Sequence, residues 1–242
     1  MIQFFIAMKY KAAIFDLFGT IVSDIYGPPA IRVREGMAKA LSISIGDFNL
    51  MWSKSYYQRN TGVFVDVEEN LYDICRELGI ELQSSGVKAA AKLRKDLAKQ
   101  VMMEPRNGAI ETLRRLGKKG CKTGLISNCD PDAPSIWPDT PFEPLFDVAV
   151  FSCSSGFMKP GHEIYLETST RLGVIPQECI YVSNGQNREL RAAFELRMLP
   201  VLITPRDDEE LHIMNPQEDE IALAKEKGEV ISSLGEVLSL VG

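Results

Sequence analysis

The stretch Ala12-Ala13-Ile14-Phe15-Asp16-Leu17-Phe18-Gly19-Thr20 decides the fold. Its first four residues are apolar without alternation, the pattern of a strand buried on both faces, and such strands belong to parallel sheets covered by helices. The run stops at Asp16, and Gly19 and Thr20 follow as turn residues. Asp16 is thus a carboxylate at the exit of a core strand. An aspartate there can simply cap the next turn, so its meaning rests on what other segments bring to the same place.

From Pro105 onward the chain alternates. The spacing predicts a helix around Ile110 to Leu116, strands at Thr123 to Ile126 and Val148 to Phe151, a helix from His162 to Leu172, a strand at Ile180 to Val182, a helix from Glu189 to Leu196 and a strand at Val201 to Ile203. Strands alternating with helices imply right-handed crossovers and a mainly parallel, Rossmann-like α/β sheet. Ligands of such sheets bind beyond the carboxyl ends of the strands, where Asp16, Ser127, Asn128, Ser183 and Asn184 fall. Lys159, before Pro160 and a helix, approaches the same rim.

Residues between the first strand and Pro105 read as helices. Asp66-x-x-Glu69 is a capping box ahead of Leu71, Ile74, Cys75 and Leu78, and Gly79 is a stop. Ser85 opens a run through Val87, Ala90, Leu97 and Val101, and Met37, Ala38 and Leu41 mark an earlier helix. The expected organisation is an α/β core from 1–20 and 106–242, interrupted by a helical bundle at 21–105.

Bulk properties narrow the function. The chain has 242 residues, 45% of them hydrophobic, enough for one large core or two unequal ones. Its 27 basic and 33 acidic residues give a formal charge of -6, which repels a phosphate backbone and argues against nucleic acid. Five cysteines without a C-x-x-C pair suggest neither a disulfide framework nor a zinc site, and fit a reducing cytoplasm. Met1 to Met8 is apolar but too short to span a membrane and has no cleavage site, so no membrane partner is expected; Met8 is an alternative start. Nothing in the sequence sets the oligomeric state.

Phe15-Asp16-Leu17-Phe18-Gly19-Thr20, Leu125-Ile126-Ser127-Asn128, Lys159-Pro160-x-x-x-Ile164-Tyr165 and Tyr181-Val182-Ser183-Asn184-Gly185, in that order, resemble the haloacid dehalogenase superfamily of hydrolases. The helical block lies where that family carries its cap domain. The resemblance implies that Asp16 is a nucleophile, attacking phosphorus, or carbon in the dehalogenating members, to give a covalent aspartyl intermediate that water hydrolyses. A carboxylate is ionised at neutral pH without help, and two steps lower each barrier. Lys159 would orient it as the second catalytic residue, while Ser127 and the backbone of Asn128 would bind the oxygens of a small anionic substrate.

Two departures stand against the pattern. The family's phosphatases carry a general acid/base aspartate two residues after the nucleophile, and here that residue is Phe18, which cannot exchange a proton. The acidic pair of the fourth motif falls on Asn184 and Arg188. Asp16, the Phe18 carbonyl and Asn184 would then make a weak magnesium site, and Lys159 with Arg188 could replace the metal as countercharge for the substrate. A one-residue shift in register would instead put Asn187 or Glu189 in that slot, and Arg188 would merely start an exposed helix. An aromatic residue at Phe18 resembles the metal-free dehalogenase branch, but that branch's cap arginine has no match beyond Arg59, the nearest arginine to Trp52. A descendant that only binds an anion in the crevice is the alternative to an enzyme.

The remaining features read as ordinary. His162 and His212 sit in no ligand pattern, and Cys129 is expected to be a small buried hydrophobe. Tyr56, Tyr57 and Phe64 would pack helices or face the crevice. The acidic runs Asp207 to Glu210 and Glu218 to Glu220 read as solvated loop or short helix.

Overall fold

The computed structural model describes residues 9–81, 84–204 and 216–242. The Met1–Met8 segment, His212 and the Asp207–Glu210 run lie outside the described residues. Six strands, β1 (Ala12–Asp16), β2 (Lys122–Ser127), β3 (Val148–Phe151), β4 (Cys179–Ser183), β5 (Leu199–Ile203) and β6 (Glu229–Ile231), form one sheet in the order β3-β2-β1-β4-β5-β6. Every pairing is parallel. All five residues of β1 are buried. The sheet order reverses direction at β1, between β2 and β4, which is where an open α/β sheet leaves a crevice.

Alternation along β1 sends side chains to two cores. Ala13 and Phe15 pack with Leu113 and Leu116 of one layer, and Ala12 and Ile14 pack with Ile164, Tyr165 and Leu190 of the other. Between β1 and β2 come α1 (Pro28–Ala40), α2 (Ile45–Lys54), α3 (Tyr56–Asn60), α4 (Val67–Glu77) and α5 (Ser84–Met102). These helices have an apolar cluster of their own, built on Met37, Phe48, Leu71, Ile74 and Val87. Half of the capping box forms as read, the Asp66 carboxylate accepting from the Glu69 N–H at 2.8 Å, while Glu69 Oε2 reaches one residue further back and accepts from the Val65 N–H at 2.7 Å. Val22 bridges both Phe18 and Pro105, so the chain leaves and rejoins the sheet side by side.

After β1 the remaining helices are α6 (Ala109–Lys118), α7 (Asp132–Ile136), α8 (Ser152–Ser155), α9 (His162–Leu172), α10 (Glu189–Glu195), α11 (Glu218–Lys227) and α12 (Val237–Leu240). One expectation is corrected here. Glu220 is fully buried rather than solvated: its carboxylate accepts from the Leu190 N–H at 2.6 Å and from the Arg191 N–H at 3.2 Å. It thereby satisfies unpaired donors in the first turn of α10, where the helix dipole favours an anion. Glu220 fixes the angle at which α10 leaves the β4 loop. Among the described residues no helix is long and apolar enough to cross a membrane.

Candidate active site

Asp16 ends β1 level with Ile126 of β2, so its side chain emerges where the carboxyl ends of the central strands converge. Thr20, one turn later, donates its hydroxyl to Asp16 Oδ2 at 3.1 Å. The other oxygen, Oδ1, accepts from the Lys159 ammonium. Lys159 is therefore no solvated surface lysine; it is 4% exposed, and its ammonium also contacts Glu189 Oε2 at 2.6 Å. Tyr181 donates to the same Glu189 oxygen at 2.8 Å. Two carboxylates thus share one buried ammonium.

Asn128 holds that lysine in place. Its side-chain amide donates to the Lys159 carbonyl at 2.9 Å and accepts from the Lys159 N–H at 2.8 Å. The Asn128 side chain is consequently occupied in bracing Lys159, and any bond it offers a substrate comes from its backbone. Ser127 is fully buried, and its hydroxyl has no oxygen or nitrogen partner among the described residues. Only the Cys129 thiol, a weak partner, lies within its reach. A buried hydroxyl left this way carries a desolvation cost that a ligand oxygen would relieve.

Arg188 does not face the crevice. Asn187 and Arg188 both take left-handed backbone angles, with φ of 52° and 57°, and this pair of turns swings Arg188 outward and Glu189 inward. The Arg188 guanidinium is 61% exposed and lies 3.7 Å from Asp219. The register that places Glu189 inside is the one the fold adopts. Asp16 is accordingly not the sole carboxylate here: Glu189 and Asp24 line the same crevice, together with Phe18, Asn184 and Gln186. Asp24 lies in the segment just past Thr20, and no motif or periodicity in the sequence marks it.

Electrostatics follows from this count. Burial is the main force on the Asp16 carboxyl and, with Glu189 adding to it against the pull of Lys159, pushes it up to about 7. Burial works against the Lys159 ammonium, but Asp16 and Glu189 outweigh it and hold its pKa above the ordinary value. Burial, then the charge of Glu189, raises the Tyr181 phenol well above its usual range, so it stays a donor. Among the described residues that line the crevice, Lys159 is the one cation, a shortage of positive charge.

Magnesium suits that shortage in charge and in donor type, since Asp16, the Phe18 carbonyl and the Asn184 amide all offer oxygen. Gly19, at φ +80°, lets Asn184 come close: a Cβ there would lie 2.1 Å from the Asn184 amide nitrogen. No cluster of three or more His, Cys, Asp or Glu residues suited to a metal occurs among the described residues, so any such site leans on the carbonyl and the amide.

Outside the crevice, Arg59 of α3 is 3% exposed and is held by Asp130 at 3.1 Å, with Trp52 stacked 3.6 Å below it. Arg94 of α5 meets the other Asp130 oxygen at 2.9 Å. Asp130 was not marked by any sequence signal beyond following Ser127 and Asn128. His162 is exposed and contacts Glu195 at 2.9 Å, away from the crevice. Tyr56 is half-buried and lines the crevice, Tyr57 is exposed, and Phe64 and Cys129 are buried.

A family model described as haloacid dehalogenase-like hydrolase matches residues 10–196. The chain is 31% identical over 103 residues to the rhythmically expressed gene 2 protein of Drosophila melanogaster, a match that covers 40% of each chain. It is 28% identical over 149 residues to a glyceraldehyde 3-phosphate phosphatase of Methanopyrus kandleri, covering 57% of this chain and 63% of that one. The matches therefore span less than two thirds of either curated relative. A crystal structure of a dehalogenase shares the fold, with a TM-score of 0.61 at 22% identity over 96% of both chains.

Proposed function

Because the chain belongs to the haloacid dehalogenase-like hydrolases, we propose that it hydrolyses small phosphate monoesters with Asp16 as nucleophile. The observation that carries this is the Asp16–Lys159–Glu189 cluster at the end of β1, two carboxylates on one ammonium. Asp16 Oδ2 attacks phosphorus, the bond to the departing oxygen breaks, and an aspartyl phosphate forms. Water then attacks that phosphorus, releasing inorganic phosphate and restoring the carboxylate. Lys159 orients Asp16, and Ser127 with the backbone N–H of Asn128 receives phosphate oxygens. Phe18 supplies no proton, so the departing oxygen takes one from solvent, and good leaving groups should react fastest.

A crevice with surplus negative charge repels a phosphate dianion unless a cation joins it. Asp16, the Phe18 carbonyl and Asn184 would hold magnesium, which supplies that countercharge when bound. The same surplus weighs against the metal-free dehalogenase reading, since Lys159, the one cation among the described residues that line the crevice, is already shared by two carboxylates and Arg59 is held by Asp130. Phe18 is the observation in favour of that reading. The helices between β1 and β2, residues 21–105 in the division of domains proposed here, act as a cap over the crevice through Tyr56, and exclude water during attack. The similarity to a glyceraldehyde 3-phosphate phosphatase supports phosphorus over carbon as the electrophile.

The test is turnover of p-nitrophenyl phosphate and of 2-chloropropionate, each with magnesium or with a chelator. Magnesium-dependent phosphate release that vanishes in Asp16→Asn supports the proposal. Halide release in chelator would move the assignment to carbon, and silence on both panels would leave an anion-binding protein.

A further inference from the structure

The walls of the crevice above Asp16 carry information about the part of the substrate that departs. Tyr26, from the segment joining β1 to the helices, and Tyr56, from α3, both line it. Gln186, from the loop after β4, adds a primary amide whose nitrogen lies 3.5 Å from Asp24 Oδ2, while Asp24 Oδ1 accepts from the Tyr26 N–H at 2.8 Å. Asn187 completes this collar on the solvent side.

The collar offers neutral hydroxyl and amide groups plus carboxylate acceptors, and among the lining residues the one cation is Lys159. Lys159 is committed to Asp16 and Glu189. The described guanidiniums nearest this end of the sheet do not line the crevice and are engaged elsewhere: Arg59 and Arg94 are bound to Asp130, Arg106 donates to the Gly19 carbonyl at 2.6 Å, and Arg188 faces outward toward Asp219. A second carboxylate on the substrate would be desolvated against acceptors with no uncommitted cation among the described lining residues, which is costly. A hydroxyl both donates and accepts, so it can bond phenol, amide and carboxylate alike.

We infer that Tyr26, Tyr56 and Gln186 select a neutral hydroxylated leaving group, so that the substrate is the phosphate ester of a short polyol or sugar rather than of a hydroxy acid. This rests on the phosphatase reading above and adds the class of ester to it. Tyr56 comes from the helical block and Gln186 from the sheet loop, so the selection forms only when the two are apposed. Specificity of this kind arises because a site built for hydrogen bonding leaves its own polar groups unpaired when the wrong ligand enters.

The experiment compares esters whose departing alkoxides are alike: glycerol 3-phosphate with 3-phosphoglycerate, and 2-hydroxyethyl phosphate with phosphoglycolate, using the full chain with magnesium. p-Nitrophenyl phosphate reports the chemical step without hydroxyl contacts. The expected result is a kcat/KM about tenfold or more higher for each polyol ester, with Tyr56→Phe and Gln186→Leu each lowering that preference by about 3- to 10-fold through the polyol ester. Equal or better turnover of the carboxylated esters, alongside active hydrolysis of p-nitrophenyl phosphate, overturns this inference and leaves the phosphatase reading intact. Equal losses on p-nitrophenyl phosphate and on polyol esters in both variants also overturn it, by showing a general role for the collar. No hydrolysis of any ester, p-nitrophenyl phosphate included, overturns both.

Discussion

Two buried ion clusters sit beyond the carboxyl ends of neighbouring strands, and they are built on opposite accounts of charge. In the clasp past β2, Arg59 and Arg94 hold Asp130, and the carboxyl of nearby Asp132, which burial pushes up to about 6 against the pull of Arg94, stands as the second acid. Two cations face two acids. In the crevice past β1, Asp16 and Glu189 share the one ammonium of Lys159. The balanced cluster joins α3 and α5 to the sheet and has no charge to offer a ligand. The unbalanced one is poorly solvated and incomplete, which is the condition under which a carboxylate gains by meeting phosphorus or a dication.

The most severe way to break this comparison is Asp16→Asn. Turnover should fall by at least about 10⁴-fold, as for loss of a covalent nucleophile. Melting temperature should hold or rise, because the substitution removes one of two like charges crowded on Lys159. A large loss of stability would mean that the crevice is a structural ion pair and that the two clusters do not differ in kind.

Asp130→Asn tests the other side. Removing the acid leaves two largely buried guanidiniums facing each other, and breaking a buried pair from one side costs about 3–5 kcal/mol. Denaturant unfolding should show that loss in the midpoint. Activity measured below the melting transition should fall far less than in Asp16→Asn, since Asp130 does not line the crevice.

The difference between the clusters was only partly legible in the sequence. Strand and helix positions followed from apolar runs and stops because burial on both faces of a parallel sheet leaves a strong pattern; α9 spans His162–Leu172 just as its spacing predicted. The places of Asp16, Asn128 and Lys159 at the crevice were readable because each sits at a fixed offset from a strand end or a proline. The sequence left open whether Arg188 or Glu189 faces inward, because two residues in left-handed conformation, Asn187 and Arg188, set which side chain points in, and neither is a glycine that would announce the turn. Asp24 and Asp130 lie in loops whose course is set by distant partners, so no local signal marks them. Glu220 read as solvated because its partners, the N–H groups of Leu190 and Arg191, are about 30 residues away and are invisible to periodicity.

Magnesium sharpens the contrast at a smaller scale. A ligand that binds only the folded state stabilises it by RT ln(1 + [L]/Kd), about 1.4 kcal/mol at ten times Kd. Wild-type protein should gain thermal stability on titration with magnesium, and Asp16→Asn should gain little. The clasp, having no surplus acid, should not respond, so Asp130→Asn should show the same magnesium increment as wild type over its lower baseline.

The smallest effect is a change of slope with pH, and it belongs to the clasp. Burial opposes ionisation of Asp130, but Arg94 and then Arg59 outweigh it and hold its carboxyl below the ordinary carboxylate value. A carboxyl whose folded pKa is depressed contributes stability that is fully present above its unfolded pKa of about 3.9 and is lost as pH falls through the folded value. The gap between wild type and Asp130→Asn should therefore close as pH drops below about 4. Protonated aspartate and asparagine are nearly the same size, and both leave the guanidiniums without an anion, so the two proteins converge when Asp130 takes up its proton. A gap that persisted unchanged to pH 3 would show that Asp130 acts through shape and hydrogen bonding rather than charge, and the contrast between a balanced and an unbalanced cluster would lose its electrostatic basis.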